Sequence, residues 1–255
     1  MTALNAMIFA AGRGTRLHPL TLHTPKALVT IGEYPMLAFA LAKAERLGAS
    51  RCVVNIHHHA QQVRDYLEQR PSGKMEILIS DESEALLDTG GGLLKAAPLF
   101  ETGADLLLLN ADVLTNAPLE QLLMFHRESQ SLATLLVQER KASRYLLFDN
   151  NMQLCGWQNP ASGEEIRLDR TQTALHSYGF NGIQLIQHRF LDLIKGKEDK
   201  FSITPLYLQL AEMHPIKGWL PGQPFEWFDI GSIDKLNKAS KLFLSCDPEK
   251  RRTFF

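Results

Sequence analysis

The stretch IFAAGRGTRLHPLTLHTPKALV, residues 8 to 29, decides how this chain is interpreted. It begins as the end of an apolar strand, turns through a glycine-rich segment at 12 to 14, and continues as a proline-punctuated loop that carries Arg16 and Lys26. Glycine lets the backbone approach a ligand closely, and exposed backbone N–H groups beside two cations suit a polyphosphate. These residues predict a phosphate-binding loop after the first strand.

The loop matches neither of the two common glycine-rich phosphate loops. The dinucleotide fingerprint G-x-G-x-x-G requires a third glycine where Leu17 stands, and His18-Pro19 follows where that motif continues as a helix. A Walker A loop ends in G-K-[ST], which is absent here. A solvent-exposed loop whose basic residues are merely hydrated remains an alternative at this point.

Composition limits the classes of protein to consider. The chain has 255 residues, 45% of them hydrophobic, which is enough for one large α/β domain, and we predict a single domain over 1–255. Its 27 basic and 28 acidic residues give a net charge of -1, so neither nucleic acid nor an anionic membrane is an expected partner. Any phosphate must therefore be held by a local cluster of cations.

Cysteine usage and hydropathy predict a cytoplasmic protein. The three cysteines, Cys52, Cys155 and Cys246, lie far apart and form no C-x-x-C pair, which favours buried thiols in a reducing compartment. The N-terminus lacks the pattern of a signal peptide, and no segment approaches the roughly 18 apolar residues of a membrane span.

Hydrophobic periodicity predicts an α/β fold. Short apolar runs alternate with amphipathic stretches through the first half, which is typical of parallel strands linked by crossover helices. The predicted strands there cover 6–11, 51–56, 75–80 and 105–110, and the predicted helices cover 35–47, 60–70 and 91–100. Beyond residue 130, strand-like pieces between turn residues predict an antiparallel or mixed extension, and helices resume at 202–213 and 232–244.

Two acids form a candidate metal site. Asp112 lies just past the apolar strand DLLLLN, where open α/β sheets place their ligands, and Asp229 follows an aromatic strand in FEWFDIGS. If they meet at one edge of a cleft, their oxygens suit magnesium. Taken singly, each is also explained as a turn or helix-cap carboxylate.

Other conspicuous residues are less specific. In LLDTGGGLLKA, 86–96, three glycines precede a predicted helix, and either close backbone approach to a ligand or a flexible turn explains them. Three adjacent histidines at 57–59 cannot all point at one ion from a regular element, so we predict a strand-to-helix loop. Trp157, Trp219 and Trp227 are predicted to be core or cleft-wall aromatics.

Taken together, these motifs resemble the sugar-1-phosphate nucleotidyltransferases. The family signature A-A-G-x-G-T-R-L-x-P-L-T, followed by P-K-x-L-V, is matched by residues 10–21 and 25–29, and the resemblance continues through T-G-G-G, FNGIQLI and W-x-D-I-G. Two departures are Ala111, where many members have glycine, and Asp88, where the muramate-type enzymes have glutamate. The resemblance implies a Rossmann-like, mixed, mostly parallel sheet flanked by helices, with a small antiparallel extension.

The same resemblance implies roles for particular residues. Arg16 and Lys26 would be catalytic: Arg16 would neutralise the β and γ phosphates, and Lys26 would reach the α-phosphate and the incoming sugar phosphate. Asp112 and Asp229 would hold Mg²⁺. Asn181 and Gly182 would lie near the sugar, with Lys26 also counted as substrate-binding. The implied nucleotide-binding residues are Ala10, Ala11, Gly12, Gly14, Thr15, Arg16, Gly90 and Gly91.

The activity implied by the resemblance is transfer of a nucleoside monophosphate from a nucleoside triphosphate to a sugar 1-phosphate by a monomer or small homo-oligomer. The nucleophile is already an anionic phosphate oxygen, which accounts for the absence of a Ser/His/Asp or Cys/His motif. UTP with N-acetylmuramate 1-phosphate is the leading pair. The alternatives are GTP with mannose or heptose 1-phosphate, a phosphocholine-type cytidylyltransferase, and a non-catalytic nucleotide-sugar-binding module.

Overall fold

A computed structural model describes residues 2–71, 73–168 and 174–255. The strands among these residues are β1 (Leu4–Phe9), β2 (Thr30–Ile31), β3 (Tyr34–Pro35), β4 (Arg51–Ile56), β5 (Glu76–Asp81), β6 (Asp105–Asn110), β7 (Val113–Thr115), β8 (Ala133–Gln138), β9 (Tyr145–Phe148), β10 (Leu154–Asn159), β11 (Glu164–Arg167), β12 (His176–Ile186), β13 (Ile216–Trp219) and β14 (Trp227–Asp229). The helices are α1 (Met36–Arg46), α2 (Ala60–Glu68), α3 (Asp88–Ala96), α4 (Leu119–Ser129), α5 (Arg189–Ile194), α6 (Ile203–Ala211), α7 (Ile233–Ser245) and α8 (Pro248–Arg252). Short 3₁₀ turns cover Thr15–Leu17, Leu20–Leu22, Lys26–Leu28 and Ala97–Leu99.

One mixed sheet organises the molecule, in the order β11-β10-β9-β12-β6-β1-β4-β5. The run β6-β1-β4-β5 is parallel, and β12 then joins β6 antiparallel. Strand β8 also pairs with β12, and β13 pairs with β8. The chain leaves β1 toward β4 and β5 and then crosses back to place β6 on the other side of β1. In open α/β sheets such a reversal creates a cleft at the carboxyl ends of the strands.

The parallel strands are buried on both faces, which explains their uninterrupted apolar runs. Ala6 and Ile8 of β1 belong to one hydrophobic core, and Met7 between them belongs to a second core on the opposite face. Helices cover both faces, as parallel strands require. Burial of this kind makes the strand ends rigid supports for the loops that follow them.

Strand β12 is the longest strand described, and its pairing changes along its length. Its first residues pair with β9 and its last residues with β6, and its register against β8 shifts between Phe180 and Gln184. Gly182 lies in this irregular stretch at a φ of 71°, which suits glycine. The strand therefore belongs to the parallel half of the sheet and to the antiparallel extension.

A third hydrophobic core lies under helix α7 and is rich in aromatic side chains. Phe39 of α1 packs edge-on against Phe243, with ring centroids 5.4 Å apart. Lys43 of α1 is fully buried beneath this cluster, where its Nζ donates to the carbonyls of Phe39 and Phe254. Burial, with Arg46 nearby, lowers the pKa of Lys43 to about 7.

The predicted fold class is confirmed, with small differences at element boundaries. The first strand ends at Phe9, so Ala10 and Ala11 begin the loop instead of ending the strand. The histidines at 57–59 lie between β4 and α2, as predicted. No helix among the described residues is long and apolar enough to cross a membrane.

One structural prediction is wrong. The glycine run does not precede a helix but lies inside α3, which begins at Asp88. Glycine has a low helix propensity, so the sequence pattern places the helix start within the run, at residue 91, three residues later than the structure does. Contacts made by α3 with a distant segment, described below, account for the difference.

Candidate active site

Two neighbouring cavities open at the carboxyl ends of the strands. The first has a volume of about 410 Å³ and the second of about 680 Å³. The first is lined by loops that follow β1, β4, β5 and β6, and the second by loops and strands of the antiparallel extension. Asp112 lines the first cavity and Asp229 the second.

The glycine-rich turn packs against the segment that carries Lys26. Gly14 has a φ of 66°, and a Cβ atom at this position would lie 2.9 Å from Cβ of Lys26. The hydroxyl of Thr21 donates to the carbonyl oxygen of Gly14 at 2.8 Å. Gly12 has open space where a Cβ would stand, and it lines the first cavity together with Ala10 and Ala11. The turn thus exposes backbone to the cavity and fixes Lys26 beside it.

Lys26 and Asp112 form an ion pair at the edge of the first cavity. Asp112 is placed by β6, which ends two residues earlier, and Lys26 by the 3₁₀ turn that it begins. The side chains are 14% and 24% exposed, so the pair is largely withdrawn from water yet reachable from the cavity. The structure brings together two residues that are 86 positions apart in the chain.

The second predicted acid, Asp229, lies on a strand adjacent to the segment of Asp112. In the antiparallel pair β14–β7, Asp229 is opposite Val113, and the amide of Ile230 donates to the carbonyl of Asp112 at 2.8 Å. The carboxylate of Asp229 accepts from Nζ of Lys235 at 2.8 Å. The backbone at the two acids is therefore fixed by one short ladder.

Arg16 also reaches this edge of the cleft. A Cβ atom on Gly231 would lie 2.9 Å from a terminal guanidinium nitrogen of Arg16 and 3.0 Å from a carboxylate oxygen of Asp229. Arg16, Lys26, Asp112 and Asp229 thus converge from three separate parts of the chain, since Arg16 and Lys26 belong to one loop. Thr15 begins the 3₁₀ turn that carries Arg16.

A buried polar network lines the inner end of the first cavity. The amide of Ala10 donates to Oδ1 of Asn55 at 2.7 Å, and Nδ2 of Asn55 donates to Glu82 at 2.7 Å. The other carboxylate oxygen of Glu82 accepts from the amide of Leu87 at 3.2 Å. Sequence reasoning missed Asn55 and Glu82, although each stands at or just past the carboxyl end of a parallel strand.

Gly90 and Gly91 do not line either cavity. Both amides donate to the carbonyl of Phe201, at 2.9 and 3.2 Å, and residues 199 to 201 cover the side of α3 where the glycines lie. Thr89 and Asp88, directly before them, do line the first cavity. The nucleotide-binding role implied for these two glycines stays a prediction, and neither glycine lines the first cavity.

Arg140 lines the second cavity and is held in place by several contacts, and sequence reasoning missed it. Its guanidinium lies 3.9 Å from the ring centroid of Trp227 and donates to Oδ1 of Asn181 at 3.0 Å and to the carbonyl of Phe180 at 2.6 Å. A Cβ on Gly179 would approach its carbon Cζ to 2.8 Å. Burial lowers the pKa of Arg140, and the negative charge of Asp229 opposes that shift.

Asn181 and Gly182 lie between the two cavities. Asn181 is fully buried, and its carbonyl accepts from the indole of Trp227 at 2.9 Å. A Cβ on Gly182 would lie 2.6 Å from the side-chain nitrogen Nδ2 of Asn110, a residue that lines the first cavity. Trp157 and Trp227 line the second cavity, whereas Trp219 packs on the first core, which confirms the prediction for these aromatics.

Comparison with known proteins identifies relatives of this chain. The family model Nucleotidyl transferase matches residues 5–151, more than half of the chain. The mannose-1-phosphate guanylyltransferase catalytic subunit beta of Drosophila melanogaster is 32% identical over 253 residues, which cover 96% of this chain and 64% of that protein. The N-acetylmuramate alpha-1-phosphate uridylyltransferase of Neisseria meningitidis serogroup B is 36% identical over 113 residues, which cover 44% of this chain and 48% of that protein.

Solved structures share the fold. A UDP-glucose pyrophosphorylase from Acinetobacter baumanii superposes with a TM-score of 0.78 at 16% sequence identity, covering 99% of this chain and 97% of that one. At this identity the likeness concerns the fold alone. The chain spans 64% of the length of the guanylyltransferase subunit.

Proposed function

The chain belongs to the nucleotidyl transferase family, and from this we propose that it transfers a nucleoside monophosphate from a nucleoside triphosphate to a sugar 1-phosphate. The observation that carries the proposal is the convergence of Lys26, Asp112 and Asp229 where two cavities adjoin. Two cavities provide room for two substrates, and the charged residues between them suit a phosphoryl-group transfer.

The reaction requires positioning more than proton transfer. An anionic oxygen of the sugar phosphate attacks the α-phosphorus, the bond from that phosphorus to the bridging oxygen of the β-phosphate breaks, and pyrophosphate leaves with the electron pair. The nucleophile carries no proton to remove, so no general base is needed. The chain must hold two mutually repelling anions in line, and cations with oriented amides accomplish this.

In this proposal the nucleotide occupies the first cavity. Backbone at Ala10, Ala11, Gly12 and Gly14 approaches the phosphates, and Thr15 orients the turn. Arg16 neutralises the leaving pyrophosphate. The ammonium of Lys26 moves from Asp112 to the α-phosphate and the incoming phosphate when these bind.

Asp112 and Asp229 are the residues that would hold magnesium. Their donor set is hard oxygen, which Mg²⁺ prefers, and the β7–β14 ladder fixes the backbone at both acids. Each carboxylate is ion-paired with a lysine, so a place for a positive charge exists beside each acid. Magnesium, when bound, supplies charge neutralisation to the phosphate oxygens.

The sugar 1-phosphate is proposed to occupy the second cavity. Arg140 and Lys235 provide positive charge there, and Trp157 and Trp227 provide flat apolar walls that suit a sugar ring. Asn181 and Gly182, at the boundary between the cavities, would lie near the sugar. Arg140 is half-buried and is held by two hydrogen bonds and by the ring of Trp227, so it is pre-organised to receive an anion.

UTP with N-acetylmuramate 1-phosphate is the preferred substrate pair in this proposal. It is supported by the 36% identity to the muramate uridylyltransferase over 113 residues. GTP with mannose 1-phosphate is the second candidate, because the similarity to the guanylyltransferase subunit extends over 96% of this chain. Lys26, Asp112 and Asp229 are all present, which disfavours a non-catalytic binding module.

A matrix of UTP, GTP, CTP and dTTP against phosphocholine and the 1-phosphates of N-acetylmuramate, mannose and heptose tests the proposal. Pyrophosphate release is the readout. The expected result is highest kcat/KM for UTP with N-acetylmuramate 1-phosphate. Preference for GTP with mannose or heptose 1-phosphate would replace the substrates but keep the reaction, whereas no pyrophosphate release from any pair would refute the reaction itself.

A further inference from the structure

The segment of residues 196–201, here called the strap, lies between α5 and α6 and crosses the glycine run of α3. We propose that Lys200 of the strap binds the phosphates of the nucleotide. We also propose that residues 90 and 91 are glycines because the strap packs against them too closely for a side chain. This inference rests on the proposed function and adds a nucleotide-binding residue to it. No part of the sequence motifs identifies Lys200.

Main-chain hydrogen bonds fix the strap to the first turns of α3. The carbonyl of Phe201 accepts from the amides of both Gly90 and Gly91, at 2.9 and 3.2 Å. Two residues later, the amide of Ile203 donates to Oγ1 of Thr89 at 3.0 Å. Lys200 directly precedes the doubly bonded residue, so its backbone position is well determined.

The glycines are required by space and not by backbone conformation. Neither Gly90 nor Gly91 has a positive φ, and both lie within α3. A Cβ atom on Gly90 would overlap the ring of Phe201, and one on Gly91 would overlap the carbonyl oxygen of Asp199, both well inside 3.0 Å. Alanine is favoured over glycine inside a helix, so the close packing of the strap outweighs helix propensity here.

The strap brings Lys200 to the wall of the first cavity. Two lysines line this cavity, Lys26 and Lys200, and Lys26 is paired with Asp112. Among the described residues, no hydrogen bond or ion pair engages the ammonium of Lys200. An exposed, unpaired ammonium on a flexible stem is suited to a phosphate oxygen, because lysine acts as a mobile point charge.

Binding measurements on three nucleotide forms test the assignment. Lys200→Ala and Lys200→Met should each weaken Mg–UTP and UMP binding about ten-fold by titration calorimetry, while uridine binding stays unchanged. In turnover, KM for UTP should rise by a similar factor with kcat within about two-fold. GTP, GMP and guanosine replace these ligands if GTP proves to be the donor.

The matched control is Lys197→Ala. Lys197 lies on the same strap but its Nζ contacts Gln209 at 3.5 Å, and it does not line the first cavity. The nucleotide affinity of the Lys197→Ala variant should equal that of the wild type. Gly90→Ala, which displaces the strap, should weaken UTP binding as much as Lys200→Ala does, and the double variant should lose little more.

Several results would overturn the inference. Wild-type UTP affinity in Lys200→Ala would show that Lys200 does not bind the nucleotide. An equal loss of affinity for uridine would show that Lys200 contacts the base or the ribose instead of the phosphates. An equal loss of UTP affinity in Lys197→Ala would show that the effect comes from the net charge of the strap and not from a specific contact. Because affinity is measured without turnover, these results differ from failure of the proposed function, in which the wild-type protein would bind UTP and release no pyrophosphate with any acceptor.

Discussion

Lys26 is ion-paired with Asp112 at the edge of the first cavity, so its charge lies close to where the proposed reaction would take place. We expect this charge to stabilise the crowded transition state more than the bound nucleotide. Lys26→Ala should therefore lower kcat/KM by about 100-fold or more, measured by pyrophosphate release. Lys26→Met keeps the apolar stem and should lose as much.

Lys238→Ala, an exposed lysine of α7, is the control for this prediction and should keep full activity. Near wild-type turnover in Lys26→Ala would show that Lys26 has a structural role in the loop and does not stabilise the transition state.

Asp112 and Asp229 make the second residue-scale prediction, that they share one ion. If they act as a unit, Asp112→Asn or Asp229→Asn alone should remove most of the activity, and the double variant should be scarcely worse than the worse single one. The measurement is pyrophosphate release titrated against magnesium, with circular dichroism to check folding.

Losses that multiply in the double variant would assign the two acids independent roles. Activity that persists through chelation would also contradict a shared ion.

At the residue scale, sequence alone located the four converging charges but not their companions. Arg16, Lys26, Asp112 and Asp229 belong to a long motif or stand at strand ends. Arg140 stands in a loop after β8 with no motif around it, and only its stacking on Trp227 distinguishes it. Long-range packing of this kind leaves no local sequence pattern.

At the scale of elements, helix α1 contains a buried titratable group with a measurable effect on stability. Lys43 has a pKa of about 7 in the folded protein, against about 10.4 when unfolded. Between these values the unfolded chain binds a proton that the native protein lacks. The free energy of unfolding should therefore rise with pH, by up to about 1.4 kcal/mol per unit from this group.

Urea unfolding at pH 7, 8 and 9 measures this slope. Lys43→Met should flatten it by about the full contribution of the buried lysine, whereas Lys238→Met should leave it unchanged. Equal slopes for the wild type and Lys43→Met would contradict a neutral Lys43 in the folded state.

Elements differed in how well the sequence predicted them. The strands β4 and β6 were predicted at their observed bounds, because uninterrupted apolar runs between turn residues leave little choice. Helix α3 was placed too late, because its glycines are explained by Phe201, a residue more than a hundred positions away. Propensity reports on local structure, and here a tertiary contact overrides it.

At the scale of the whole molecule, β12 joins the two halves of the sheet, so we expect them to unfold together. Strand β12 pairs with β6 on one side and with β8 and β9 elsewhere. A scanning calorimetry experiment should show one transition, and Mg–UTP at 100 times Kd should raise the temperature of its midpoint, because binding stabilises the native state by about 2.7 kcal/mol. Two separate transitions, only one of them shifted by UTP, would contradict the prediction of a single domain over 1–255.

The separation of the two cavities has a consequence for how members of the nucleotidyl transferase family could diversify. The first cavity is built on the parallel half, and most of the wall of the second is supplied by the loop after β8 and by strands of the extension. Under the proposed function, a lineage could retain its nucleotide donor while the extension drifts to accept another sugar. Grafting residues 140–168 from a relative with a different acceptor should then change the acceptor that is used while the nucleotide donor stays the same.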